Sequence, residues 1–149
     1  METIEKSIEV DAPLQQVYNQ WTQFEEFPKF MDGVEEVRQL SDTRLFWRVT
    51  IWGKTEEWEA EIYEQIKDQR IAWRSVVGAP NAGAVSFAPA GTGKTRVTLT
   101  LNYQPLGAIE KIGDALGVVS AKVEGDLKRF REFIEERGRA TGGWRGEVR

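Results

Sequence analysis

The chain has 149 residues, 40% of them apolar and 30% charged, which suits one globular domain with a sizeable core. It has no cysteine and no histidine, which excludes disulfides, thiolate chemistry, Cys/His zinc sites and any nucleophile driven by an imidazole, so neither a metal nor a cofactor is expected. A net charge of −4 speaks against a nucleic-acid surface, and without an apolar leader or a run of 18 apolar residues the expected location is cytoplasmic.

Residues 3–10 read as a first strand whose imperfect alternation suits a sheet edge. Asp11-Ala12-Pro13 ends it and starts a short helix through Trp21, with Leu14, Val17, Tyr18 and Trp21 as its apolar side. Thr22-Gln23-Phe24-Glu25 has capping-box spacing for a second short helix carrying Phe24, Phe27, Phe30 and Met31; Pro28 limits its length and Gly33 closes it. Turn chemistry then separates six strand-length segments, at 34–40, 44–52, 55–66, 70–77, 84–88 and 95–103. Their short connections predict an antiparallel meander.

If Gly53-Lys54 is a two-residue hairpin turn, residues whose numbers sum to 107 lie opposite, so that Arg48 faces Glu59 and Val49 faces Trp58. The charged pair belongs outside with Glu57 and Glu61. The inner face then holds Trp47, Trp58, Ala60 and Ile62, with Glu56 at the strand's start. The same alternation turns Ile71, Trp73, Ser75, Val77, Val85, Phe87, Val97, Leu99, Leu101 and Tyr103 inward.

Residues 108–137 predict one long amphipathic helix: Ile109, Ile112, Leu116, Val119, Val123, Leu127, Phe130 and Ile134 fall within an arc of roughly 80°. At 1.5 Å per residue it would be about 45 Å long, and only the sheet is large enough to cover its stripe. Residues 1–137 are therefore read as the domain. Residues 138–149, aperiodic and rich in Gly and Arg, are expected to be a mobile tail.

This order of elements resembles the α+β helix-grip fold, a seven-stranded antiparallel sheet wrapped around a long C-terminal helix with two short helices between strands 1 and 2. The resemblance is to the START-like superfamily, also called SRPBCC or Bet v 1-like, and within it to the bacterial polyketide cyclase/dehydrase and coenzyme Q-binding type. Asp11-Ala12-Pro13, Trp21, the stretch 24–34, Glu57 to Ile62, Ile71 to Ser75, Gly83 to Phe87, Thr95 to Val97 and Asp126 to Phe130 carry it. It implies an elongated apolar cavity between sheet and helix, in proteins that bind lipids, isoprenoid quinones or polyketides and only sometimes catalyse.

The expected ligand-binding residues are Trp47, Trp58, Trp73, Ser75, Phe87, Leu99, Leu101 and Tyr103 on the sheet and Ile112, Leu116, Val119, Ser120 and Val123 on the helix. The competing reading is a filled core whose hydroxyls bond to backbone. Phe27, Phe30 and Met31 are candidates for a lid or a transient membrane contact, against plain packing of a short helix. Glu56, Tyr103 and Ser75 are the weak catalytic candidates; no second carboxylate converges on Glu56, which tells against acid–base catalysis. The stretch 88–95 imitates a phosphate-binding loop but lacks its first Gly and leads into a strand, so nucleotide binding is rejected. The expected function is binding, as carrier or sensor, of a hydrophobic or amphipathic molecule such as an isoprenoid quinone, lipid or polycyclic metabolite. The alternatives are a polyketide aromatase/cyclase-type enzyme, or a structural protein with a collapsed pocket. The ligand's identity and the oligomeric state stay open.

Overall fold

The computed structural model describes residues 2–51, 53–78, 80–103 and 115–148, apart from the side chains of Glu2, Ile51, Tyr103 and residues 115–118. The described elements are β1 (Glu2–Val10), α1 (Leu14–Trp21), a 3₁₀ helix (Phe24–Lys29), β2 (Val34–Gln39), β3 (Arg44–Ile51), β4 (Lys54–Ile66), β5 (Arg70–Gly78), β6 (Asn81–Gly91), β7 (Lys94–Tyr103) and α2 (Ala115–Arg137). The strands form one seven-stranded antiparallel sheet in the order β1-β7-β6-β5-β4-β3-β2. Five hairpin steps make the meander from β2 to β7, and β1 joins it beside β7, with Ile4 opposite Leu101 and Val10 opposite Thr95. The start predicted for the long helix, with Ile109 and Ile112, lies outside the described residues. From Val119 on, the stripe is buried as expected: Val119, Val123, Leu127, Phe130 and Ile134 are all under 9% exposed.

The hairpin register differs from the sequence expectation. Trp47 lies opposite Trp58, Arg48 opposite Glu57 and Val49 opposite Glu56, so opposed numbers sum to 105 and the last pair is Ile51 with Lys54. The shift is two residues. Because side chains alternate with period two, an even shift changes every partner and no face, and the predicted inner and outer sets survive.

Two irregularities in the β4–β5 ladder do change faces. Ser75 pairs with Ala60 and Val77 with Glu59, which leaves Val76 as an extra residue. Beyond that bulge Val77 is on the outer side, 56% exposed rather than facing in. Similarly Ile62 pairs with Trp73 and Glu64 with Ala72, so Tyr63 is extra and Gln65 turns inward opposite Ile71. Gln65 is 1% exposed and donates its amide to the Tyr18 hydroxyl at 3.1 Å. Burial raises the Tyr18 phenol above its ordinary value, while that hydrogen bond and the Arg145 charge pull the other way.

The proposed capping box does not form. The segment is a six-residue 3₁₀ helix with Gln23 as its cap and no side-chain cap bond. The Thr22 hydroxyl donates back to the Asn19 carbonyl at 2.6 Å, and the Glu25 carboxylate accepts from the Gln39 amide at 3.1 Å. Pro28, inside so short a helix, leaves no α-helical first turn for such a box to close.

Residues 138–148, expected to lack fixed contacts, lie against α1 and β4. The Gln20 side chain, fully buried, donates to the Thr141 hydroxyl at 3.0 Å and accepts the Thr141 amide at 2.8 Å. The Trp144 amide donates to Thr22 Oγ1 at 3.0 Å, and Arg145 bonds Asn19 and Asp68 at 2.7 and 2.6 Å. Val148 and Gln65 exchange both backbone hydrogen bonds, at 2.7 and 2.9 Å. The glycines here serve close approach: a Cβ on Gly143 would sit 2.7 Å from Asn19 Cγ.

Candidate functional site

Between the sheet and α2 lies a cavity of about 180 Å³, and its walls come from every layer. Aromatic side chains build one side. Trp21 meets Phe27 edge-on at 5.5 Å, Phe27 meets Trp47 at 5.6 Å, and Trp47 stacks on Trp58 at 5.8 Å with ring planes 9° apart. The corrected register explains that stack, since it puts Trp47 and Trp58 directly opposite on the inner face. Trp73 lies across β6 over Gly83, where an added Cβ would be 2.6 Å from the Trp73 ring and 2.8 Å from the Thr100 carbonyl. A glycine there is what lets the indole lie flat over the neighbouring strand.

Of the expected binding residues, Trp47, Trp58, Trp73, Leu99, Leu101, Val119 and Val123 line the cavity, and so does Glu56. Phe87 does not: it is core, packed edge-to-face on Tyr18 at 5.3 Å and Trp21 at 6.3 Å. Ser75 is also away from the cavity, its hydroxyl donating to the Val77 carbonyl at 3.4 Å beside the bulge, and Ser120 is not among the lining residues. Ile112 and the side chains of Tyr103 and Leu116 lie outside the described residues. In the expected lid, Phe27 and Met31 border the cavity, whereas Phe30 packs on Phe130 and Phe133 at 5.3 Å each. Phe27 and Phe30 are 2% and 3% exposed, so both are wall and core rather than a free apolar surface.

Sequence reasoning missed Trp21, Val34, Leu45, Val49, Ile71 and three polar residues, Asn81, Lys122 and Asp126. Asp126 is 6% exposed and is the most heavily used side chain of the site. It accepts from Lys122 Nζ and Arg129 Nη2 at 2.6 Å each, and its Oδ1 also accepts the Asp32 backbone amide at 2.9 Å. Arg129 also donates from Nε to the Phe30 carbonyl at 2.9 Å, so the helix grips the loop that carries Met31. Lys122, Asp126 and Arg129, four and three residues apart on one helix, were a legible row of alternating charge; that Lys122 and Asp126 border the cavity was not. Glu56 forms an ion pair with Lys54 at 3.3 Å. Among the described residues no three His, Cys, Asp or Glu side chains converge as a metal site. No helix among them is long and apolar enough to cross a membrane.

A curled antiparallel sheet holding one long helix, with an apolar cavity between them, is the helix-grip architecture, and the chain is similar in fold to a START superfamily protein of Mycobacterium smegmatis, at 17% identity and TM-score 0.69 over 91% of this chain and 96% of that one. The family described as "Polyketide cyclase / dehydrase and lipid transport" matches residues 10–131, and the chain belongs to it. The chain is 50% identical over 149 residues to an "Uncharacterized 17.2 kDa protein in melC2-rnhH intergenic region" of Streptomyces lincolnensis, with 99% of each chain covered. Among solved structures it is similar to DR_A0006 of Deinococcus radiodurans, at 29% identity and TM-score 0.72 over 92% of this chain and 99% of that one. It is similar in fold to the Zhui aromatase/cyclase of Streptomyces sp. R1128, at 19% identity and TM-score 0.76 over 96% of this chain and 99% of that one.

Proposed function

We propose that this protein is a carrier or sensor that encloses a hydrophobic or amphipathic small molecule, such as an isoprenoid quinone, lipid or polycyclic metabolite, between its sheet and α2. The observation that carries this is the cavity itself: about 180 Å³ walled by four tryptophans and other apolar side chains, with Glu56, Asn81, Lys122 and Asp126 as the polar members among the described residues. Removing apolar ligand surface from water, at about 25 cal/mol per Å², supplies the driving force. The size constrains the ligand. A cavity of about 150 Å³ admits benzene, and sites enclosing drug-sized molecules start at roughly 300 Å³. A ring or two fits inside, and a chain or further rings would pass out beside the partly exposed Glu56, Pro80 and Asn81. Loading from a membrane would require the loop around Met31 to open, because Phe27 and Phe30 have no free surface. A cytoplasmic location and no role for nucleic acid complete this reading, in keeping with the net charge of −4.

The cyclase reading draws on the family description, but its candidate residues give it little support. Glu56 borders the cavity already paired with Lys54, and Ser75 is elsewhere. Native mass spectrometry and solvent extraction of purified protein test the carrier reading. A co-purifying apolar molecule is expected, lost in Val123→Trp, which fills the cavity from a position 4% exposed. Retention of the molecule by a folded Val123→Trp would remove the cavity from the function.

A further inference from the structure

We propose that the cavity selects apolar molecules bearing a carboxylate or a comparably strong acceptor oxygen, and that Lys122 is the group that anchors it. The inference rests on the cavity being a binding site and specifies what chemistry it binds. Among the described residues of α2, one carboxylate on the cavity side, Asp126, is shared by the Lys122 ammonium and the Arg129 guanidinium, at 2.6 Å each. Two cations on one anion leave a unit of positive charge there. Of those two cations only Lys122 borders the cavity, its side chain 20% exposed. An ammonium has three N–H donors, and Asp126 takes one.

The opposite wall does not cancel this charge. Glu56 is neutralised by Lys54 at 3.3 Å, and Asn81 already has a partner. Lys122 thus brings spare donors to the helix side of the wall. In an apolar, poorly hydrated cavity, an ammonium facing an anionic oxygen makes the stronger, charge-assisted kind of hydrogen bond. A cationic guest would meet the surplus positive charge at Lys122, and carboxylates, Glu56 and Asp126, that already hold cations. The ligand class that fits is an aromatic or alicyclic acid, or the acid end of a longer amphipathic molecule.

Three bicyclic probes of near-equal size separate this from cavity binding alone: 2-naphthoic acid, 2-methylnaphthalene and 2-naphthylmethylamine, titrated at neutral pH by tryptophan quenching and calorimetry against the full chain. The acid is expected to bind about tenfold or more tighter than the hydrocarbon, and the amine more weakly than either. Lys122→Met should erase the acid's advantage over the hydrocarbon, and Lys122→Arg should restore it. Thermal melts of both variants establish that they are folded. An acid that binds no tighter than the hydrocarbon, or an advantage that persists in Lys122→Met, overturns the anchor and leaves the cavity reading standing. Failure of all three probes to bind overturns both.

Discussion

Replacing Asp126 by Ala tests a buried carboxylate that three donors share. Its carboxylate is 6% exposed and holds Lys122, Arg129 and the Asp32 amide at 2.6, 2.6 and 2.9 Å. Removing one partner of a buried ion pair costs about 3–5 kcal/mol, because the stranded charge stays out of water. That figure needs a discount here. The Arg129 side chain is 43% exposed and can turn to solvent, whereas Lys122, at 20%, has less access. We expect a loss of about 2–3 kcal/mol, which for a chain of this size lowers Tm by roughly 4–12 °C. Urea unfolding followed by tryptophan emission measures it. The double variant Asp126→Ala/Lys122→Met should be about 1 kcal/mol more stable than Asp126→Ala alone, since it removes the stranded ammonium as well. A single-variant loss under about 0.5 kcal/mol, or a double variant that is worse still, would refute the reasoning that this carboxylate exists to hold two cations.

Further outcomes follow from the tail and from Tyr18. In hydrogen exchange the Val148 amide, bonded to the Gln65 carbonyl at 2.9 Å, should be protected, and exchange at the unstructured rate would restore the expectation of a free tail. Deleting residues 139–149 should cost about 1–3 kcal/mol, because it strips the partner from the fully buried Gln20 amide. The Tyr18 phenol is raised above its ordinary value of 10.0, chiefly by burial. Its contribution to stability is therefore complete below pH 10.0 and is lost as pH rises toward the folded-state value, since the unfolded chain ionises first. Tyr18→Phe should flatten that alkaline loss in urea titrations; an unchanged slope above pH 10.0 would assign it to other groups.

Much of the fold was legible because it rests on local periodicities. The α2 stripe from Val119 to Ile134, the inward tryptophans and the turn-separated strands each follow from spacing and residue type. Even the wrong partner for Trp58 did no harm to the faces, because a two-residue slip preserves parity. What failed was the assumption of unbroken alternation. Val77 and Gln65 sit past bulges at Val76 and Tyr63, and nothing local marks a bulge whose extra residue is an ordinary valine or tyrosine. The capping box failed similarly, since Thr22 and Glu25 have the right spacing and found better partners in Asn19 and Gln39.

The sequence by itself determined the element order, the sidedness of sheet and long helix, and the absence of imidazole and thiol chemistry, because these depend on residue identity and short-range period. Only the tertiary structure decided which inward residues meet at a cavity and which, like Phe87, fill the core. It also decided that Asp126 reaches Asp32, 94 residues away, and that Thr141 reaches Gln20, 121 residues away. Such pairings are set by how the sheet curls over the helix, a property of all the strands together that no single segment encodes.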